Sequence, residues 1–192
     1  MPRTAAATQA HVLDVAGKLF YWKGIRATGV DKVAAEAKVA PTTLYRLFSS
    51  KDDLVGAYVE HTADDFRERF EEVVEAAGPD PREQILAVFD LAYAKVDSEE
   101  FRGCALQLTL AEFPDHELPA HRNAVAAKSW FRERIGELTE RLEVDDPGAL
   151  ADHLTLVFEG VNASGLSLGA DGPARQSRKL VELLLSTATP RA

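Results

Sequence analysis

Cysteine is nearly absent from this chain. Among its 192 residues only Cys104 carries a thiol, so no disulfide can form within one chain, as is typical of proteins in a reducing compartment. Long apolar runs are missing as well. The apolar stretch at 154–158 ends at Glu159, whereas a membrane-spanning helix needs about 20 apolar residues. Gln9 and His11 interrupt the start of the chain too early for a signal-peptide core. We therefore expect a cytoplasmic protein that has no membrane partner.

Motifs of common enzyme classes are also lacking. The sequence has no Cys-x-x-Cys pair, no glycine-rich phosphate loop and no recognisable Ser/His/Asp motif. The run from His116 to His121 nearly matches a zinc-protease signature, but the second histidine comes one residue late and Pro119 interrupts the helix that would align both rings. Together with His153 these histidines could still form a metal site, so a metal-dependent helical-bundle enzyme is kept as an alternative. Our expectation is no enzyme activity, no metal and no cofactor.

The alternating pattern of a half-buried strand is absent, whereas the helix-favouring residues Ala, Leu, Glu and Arg dominate. The sequence therefore predicts an all-α protein of about nine helices. Gly24 is suited to end the first helix, and Pro41 to open the third. Thr28 and Ser50, each with an acidic residue three positions later, have the spacing of capping boxes. The predicted helices cover about 8–22, 29–37, 41–48, 50–77, 82–96, 104–112, 120–143, 149–168 and 173–187.

Charge is distributed unevenly along the chain. The net charge is −9, which by itself argues against DNA binding. Between Lys18 and Lys51, however, there are seven basic and two acidic residues, which gives this segment +5 and leaves −14 on the rest of the chain. A basic amino-terminal part joined to an acidic body is the asymmetry expected when only one end of a protein meets phosphate.

Residues 28–48 have the pattern of a helix-turn-helix, with Lys38-Val39-Ala40 as the turn. In such a unit the second helix enters the major groove of DNA, and its first residues reach the base edges. Arginine can pair with guanine, threonine can contact a thymine methyl, and a phenol, an ammonium or a helix amino terminus can meet phosphate. Two short amphipathic helices also occur in all-α proteins that do not bind DNA. The predicted DNA-binding residues are Thr28, Thr42, Thr43, Tyr45, Arg46 and Lys51.

A longer sequence motif makes the helix-turn-helix interpretation more specific. Thr-Leu-Tyr-Arg-Leu-Phe-Ser-Ser-Lys-Asp-Asp-Leu stands at 43–54, and about residues 8–60 resemble the DNA-binding domain of the tetracycline-repressor (TetR) family. Three positions depart from the pattern of that family. Lys38 stands where a turn glycine is usual, so it must adopt the turn at some steric cost or shift the turn slightly, and Gly29 and Ala40 replace residues that carry hydroxyl groups.

The resemblance implies a domain division and a function. It implies a helix-turn-helix DNA-binding domain over 1–50 and an effector-binding and dimerisation domain over 51–192. The implied function is that of a ligand-responsive transcriptional regulator. We expect a repressor that binds a palindromic operator in double-stranded DNA as a homodimer and is released by a small molecule of apolar character. A DNA-binding regulator without an effector is kept as a further alternative.

Two carboxy-terminal segments, 149–168 and 173–187, carry more apolar residues than one core face needs. A helix that is apolar on two sides is buried on two sides, which indicates either a dimer interface or a central position within one chain. The predicted interface residues are Leu150, Leu154, Val157, Val161, Leu180, Leu183 and Leu184.

An effector pocket of mostly apolar residues with a few polar groups is expected in the same domain. Aromatic residues at helical spacing also form ordinary cores, and a single cysteine is often a small buried apolar residue. The predicted pocket residues are Phe89, Tyr93, Cys104, Leu108, Trp130, Phe131, Phe158 and Asn162.

Overall fold

The computed structural model describes residues 4–189. Within that range the chain forms nine α-helices and one 3₁₀ turn but no β-strand, which confirms the predicted all-α class. In the same range, no helix is both long enough and apolar enough to cross a bilayer. The helices are α1 (Ala5–Lys23), α2 (Val30–Glu36), α3 (Pro41–Leu47), α4 (Lys51–Ala76), α5 (Pro81–Val96), α6 (Ala105–Glu112), α7 (Pro119–Glu140), α8 (Pro147–Leu168) and α9 (Ser177–Thr187), with the 3₁₀ turn at Pro173–Gln176 before α9.

Most helix ends lie where the sequence predicts them. Gly24 ends α1 with a φ of 86°, a conformation that side chains with a Cβ rarely adopt. The Ser50 hydroxyl accepts a hydrogen bond of 3.0 Å from the Asp53 N–H, so the predicted cap of α4 is confirmed. The capping box predicted at Thr28 is wrong. Gly29 precedes α2 without a side-chain cap, because the Thr28 hydroxyl donates to the carbonyl of Gly24 at 2.8 Å.

The described residues form two compact units, and each unit is built from two separate pieces of chain. The first unit comprises the residues up to Asp65 together with Ala105–Ala126, and the second comprises Phe66–Cys104 together with the residues from Ala127 onward. Helices α4 and α7 therefore contribute residues to both units, and α6 belongs to the same unit as α1, α2 and α3. The predicted boundary at residue 50 divides the chain by function, between DNA binding and effector binding, and it stays a prediction.

The first unit has a small core made by α1 to α4. The apolar face of α1 is buried, and the Phe20 ring meets the Tyr58 ring edge-on at a centroid distance of 5.2 Å. Leu44 is the residue of α3 that packs inward, with 1% of its surface exposed. This core fixes the two short helices of the helix-turn-helix. Its fully buried members are Val12, Ala16, Val33, Leu54, Val55 and Val59.

The second unit has a larger apolar core, in which α5, α8 and α9 pack against one another. An ion pair lies at its edge: Arg134 Nε donates to Glu71 Oε1 at 2.6 Å, and this hydrogen bond lowers the pKa of the Glu71 carboxyl below its ordinary value. The buried residues of this core are Phe70, Val74, Ile85, Leu86, Val88, Phe89, Phe131, Ile135, Leu138, Val144, Leu150, Ala151, Leu154, Val181 and Leu185.

Candidate nucleic-acid interface

The turn between α2 and α3 is closed by an unusual lysine conformation. Lys38 has a φ of 56°, in the left-handed region, as expected from its position in place of a turn glycine. Two backbone hydrogen bonds close the turn: the Lys38 N–H donates to the Ala35 carbonyl at 3.1 Å, and the Val39 N–H donates to the Ala34 carbonyl at 3.0 Å. The chain can then re-enter a helix at Pro41, whose missing N–H costs nothing at that position.

Helix α3 presents a polar face to solvent. Thr42, Tyr45 and Arg46 are exposed, Tyr45 to 53%, and Thr43 is half-buried. Leu44 anchors the opposite face in the core of the first unit. The helix therefore offers a phenol, a guanidinium and a hydroxyl side by side, which are groups that hydrogen-bond to base edges and phosphate oxygens.

Two other predicted DNA contacts have partners inside the chain. Thr28 is only 1% exposed, and its hydroxyl already donates to the Gly24 carbonyl, so its side chain supports the loop before α2 and does not point to solvent. Lys51 is half-buried, and its Nζ donates to the carbonyl of Arg26 at 3.2 Å. The Lys51 ammonium still lies at the start of α4, directly after α3.

The predicted pocket residues fall into two groups. Leu108 lies on α6 and belongs to the first unit, whereas the other seven belong to the second. Phe131 and Phe158 have ring centroids 4.1 Å apart, in a tightly packed aromatic cluster. The buried Asn162 amide donates to the Phe158 carbonyl of its own helix at 3.0 Å. The side chains of Tyr93 and Cys104 are half-buried.

Two aromatic residues of this cluster are absent from the predicted pocket. Phe66 and Phe70 on α4 contact the rings of Trp130 and Phe131 at centroid distances between 5.2 and 6.0 Å. The signal that could have found them is the apolar stripe of α4, which repeats at helical spacing and reaches both residues.

The predicted interface residues also separate by burial. Leu150, Leu154 and Val161 pack in cores of the chain itself, so their assignment to a partner surface is corrected: periodicity identifies an apolar face but not the neighbour that covers it. Val157 and Leu184 are half-buried. Only Leu180 and Leu183 are exposed, to 44% and 57%. Further exposed leucines, which the sequence interpretation missed, lie on α8: Leu156, Leu166 and Leu168.

Two of the three histidines considered for a metal site come together. His121 Nδ1 lies 2.8 Å from the Phe113 carbonyl and donates to it, and its Nε2 lies 2.8 Å from His116 Nδ1, so the two rings share a hydrogen bond. His153 is an exposed residue of the second unit. Among residues 4–189 there is no group of three or more His, Cys, Asp or Glu side chains that could hold a metal ion.

Comparison with known proteins agrees with this geometry. Residues 12–58, which hold α2 and α3, match the model of the family described as bacterial regulatory proteins, tetR family. The crystal structure of SCO4454, a TetR-family transcriptional regulator from Streptomyces coelicolor, superposes with a TM-score of 0.85 at 32% identity and covers 95% of this chain and 96% of its own. An all-α chain with an exposed helix-turn-helix and this likeness is a DNA-binding protein, and it belongs to the TetR family of transcriptional regulators.

Curated relatives are transcriptional regulators as well. YjdC of Escherichia coli, an HTH-type transcriptional regulator, is 24% identical over 180 residues, which is 94% of each chain. The HTH-type transcriptional repressor KstR2 of Rhodococcus jostii is 32% identical over 90 residues, and the match spans 44% of that protein. Family membership therefore decides between the regulator and the helical-bundle enzyme in favour of the regulator.

Proposed function

We propose that this regulator is a repressor that binds a palindromic operator as a homodimer and leaves it when an apolar effector binds. The observation that carries the proposal is the polar face of α3, where Thr42, Tyr45 and Arg46 are exposed over the buried Leu44. In a helix-turn-helix this face enters the major groove. Arg46 is assigned to a guanine edge, and Tyr45 and Lys51 to phosphate oxygens.

The proposed dimer interface lies on α8 and α9. Leu156 is 69% exposed and Leu183 is 57% exposed, and the two helices that carry them pack against each other. Exposed apolar patches on soluble proteins mark association sites. A second copy of the chain is the proposed occupant, because a twofold dimer presents two copies of α3 to the two halves of a palindromic site.

The proposed effector site lies among the aromatic side chains of the second unit. Phe66, Trp130, Phe131 and Phe158 contact one another there, and sites for small molecules are lined mainly by such residues with a few polar groups. This lining favours an effector with a large apolar part.

Helix α4 is the proposed link between effector and operator. It runs as one helix from Lys51 to Ala76, and its residues up to Asp65 belong to the unit that holds α3, while those from Phe66 onward belong to the other unit. Displacement of its carboxy-terminal part would then change the spacing of the two α3 helices in the dimer. A dimer cross-linked at residues 56–60 should bind the operator but no longer release it when the effector is added; release that persists would contradict this mechanism.

One experiment tests DNA reading and assembly together. The purified protein selects duplexes from a random pool without added small molecules, and light scattering gives its mass in solution at micromolar concentration. We expect a two-half-site consensus and a dimer. Leu156→Glu with Leu183→Glu should give a monomer with weaker operator binding, whereas the control Ala94→Glu, at an exposed position of α5, should leave the dimer intact. No preference for any duplex, or a monomeric wild type, would refute the proposal.

Release is tested separately. A panel of aliphatic and aromatic compounds is added to the complex with the selected duplex, and dissociation is followed by fluorescence anisotropy. Release by an apolar member of the panel supports the effector proposal. A complex that neither the panel nor a cellular extract dissociates would identify the chain as a regulator without an effector.

A further inference from the structure

The last residue of α6 is bound to the loop between α1 and α2. The Glu112 carboxylate accepts hydrogen bonds from two consecutive backbone N–H groups, that of Ile25 at 2.9 Å and that of Arg26 at 2.7 Å. The Glu112 carbonyl in turn accepts a hydrogen bond from Arg26 Nε at 2.7 Å. Hydrogen bonds to an ionised carboxylate are stronger than neutral ones. One glutamate therefore fixes both the backbone and the side chain of Arg26.

An aromatic ring supports the same arginine. The Arg26 guanidinium lies over the Phe113 ring, with its central carbon 5.4 Å from the ring centroid. Phe113 is itself immobilised, because its side chain is only 6% exposed and its carbonyl accepts the hydrogen bond from His121. Arg26 remains exposed at the surface, and a guanidinium has more N–H donors than the one that Glu112 uses.

The position of Arg26 relates it to the DNA-reading helix. Lys51, the first residue of α4, donates its Nζ hydrogen bond to the Arg26 carbonyl at 3.2 Å. Only three residues separate Lys51 from the end of α3 at Leu47. The loop that carries Arg26 is therefore adjacent to the junction of α3 and α4, where the proposed function already assigns a phosphate contact.

We propose that Arg26 is a phosphate-contacting residue of the operator complex and that Glu112 is the positioning residue that holds it in place. The inference rests on the proposed function, because it requires α3 to lie in the major groove. Phosphate contacts set the register of a protein on DNA, and a guanidinium held before binding loses less conformational freedom when it binds.

The sign of the expected effect distinguishes this role from simple electrostatics. An exposed carboxylate near DNA repels phosphate, so its removal should leave binding unchanged or strengthen it. Replacement of Glu112 by alanine removes the carboxylate but keeps the main-chain carbonyl that Arg26 Nε contacts. It should instead weaken binding, because the loop that carries Arg26 loses two backbone hydrogen bonds. The matched control is Glu117, an acidic residue of the following loop whose side chain is 92% exposed.

The experiment measures the Kd of the full-length protein for the duplex that the wild type selects, as a function of salt concentration. Arg26→Ala and Glu112→Ala should each weaken binding about tenfold and make the slope of log K against log salt shallower by about 0.9, the value for one phosphate contact. The double variant should bind no more weakly than Arg26→Ala alone, because both changes remove the same contact. Glu117→Ala should bind as tightly as the wild type or more tightly.

Other results would overturn the inference. Wild-type affinity and slope in Glu112→Ala, or losses that add up in the double variant, would show that Glu112 does not act through Arg26. If Glu112→Ala fails to fold, Glu112→Gln keeps one acceptor oxygen and should show a smaller loss of affinity with a correspondingly smaller change of slope. Arg46→Ala distinguishes failure of this inference from failure of the proposed function. If Arg46→Ala weakens binding while the Glu112 variants do not, only this inference fails. If Arg46→Ala has no effect, the proposed role of α3 fails.

Discussion

The lysine at the α2–α3 turn gives a prediction whose magnitude can be worked out. Lys38 has a φ of 56°, and a residue with a Cβ pays about 1–2 kcal/mol in this left-handed conformation. Glycine avoids that cost but loses about 0.5–1 kcal/mol more backbone entropy on folding. Lys38→Gly should therefore raise the free energy of unfolding by about 0.5–1 kcal/mol.

The assay is urea unfolding at a fixed protomer concentration, because the proposed dimer would unfold in a concentration-dependent way. Lys38→Ala is the matched control, since alanine removes the same charge but keeps the Cβ. The glycine variant should have the higher midpoint at an unchanged m-value. A glycine variant no more stable than the alanine variant would refute the assignment of strain to this turn. Because both variants lose the ammonium, any difference in their affinity for DNA reports the geometry of the turn alone.

Four further outcomes are expected. Arg46→Ala should cost about 1–3 kcal/mol at one base pair and relax the preference there, whereas an equal loss on every duplex would make Arg46 a phosphate contact. Lys51→Ala should make the salt slope shallower by about 0.9, and an unchanged slope would exclude this contact. Gly165→Ala should destabilise by about 1–3 kcal/mol, because its Cβ would lie 2.5 Å from a methyl of Val96. Gly136→Ala, with open space at that point, should stabilise by about 1 kcal/mol, and thermal melts that shift both variants in the same direction would contradict this pair.

Local patterns were sufficient for much of this fold. The apolar period of 3.6 residues predicted the helices, and glycine, proline and serine marked several of their ends, as at Gly24, Pro41 and Ser50. The lysine in place of a turn glycine predicted either a strained turn or a shifted one, and the φ of Lys38 shows the strained turn. These features depend on residues only a few positions apart, so they can be predicted from the sequence alone.

The errors concern the partner that a given side chain contacts. Leu154 is apolar on a helix that also has exposed leucines, but only packing shows that its side chain is buried in the core. Thr28 has the spacing of a cap, yet its hydroxyl bonds backward to Gly24. The Glu112 carboxylate binds the N–H groups of Arg26 and Ile25, which lie 86 and 87 positions earlier in the sequence. No periodic pattern records a contact over such a separation.

The division of the chain into pieces limits how this regulator can be rebuilt. Helix α6 and the start of α7 share a unit with the helix-turn-helix, and in that unit the Asn123 amide donates to the Gly56 carbonyl at 3.0 Å. A chimera that grafts only the first 65 residues onto another sensor would leave the Gly56 carbonyl without its native donor and the Ile25 and Arg26 N–H groups without their native acceptor, the Glu112 carboxylate. A transferable DNA-binding unit from this chain must therefore include the segment Ala105–Ala126 as well.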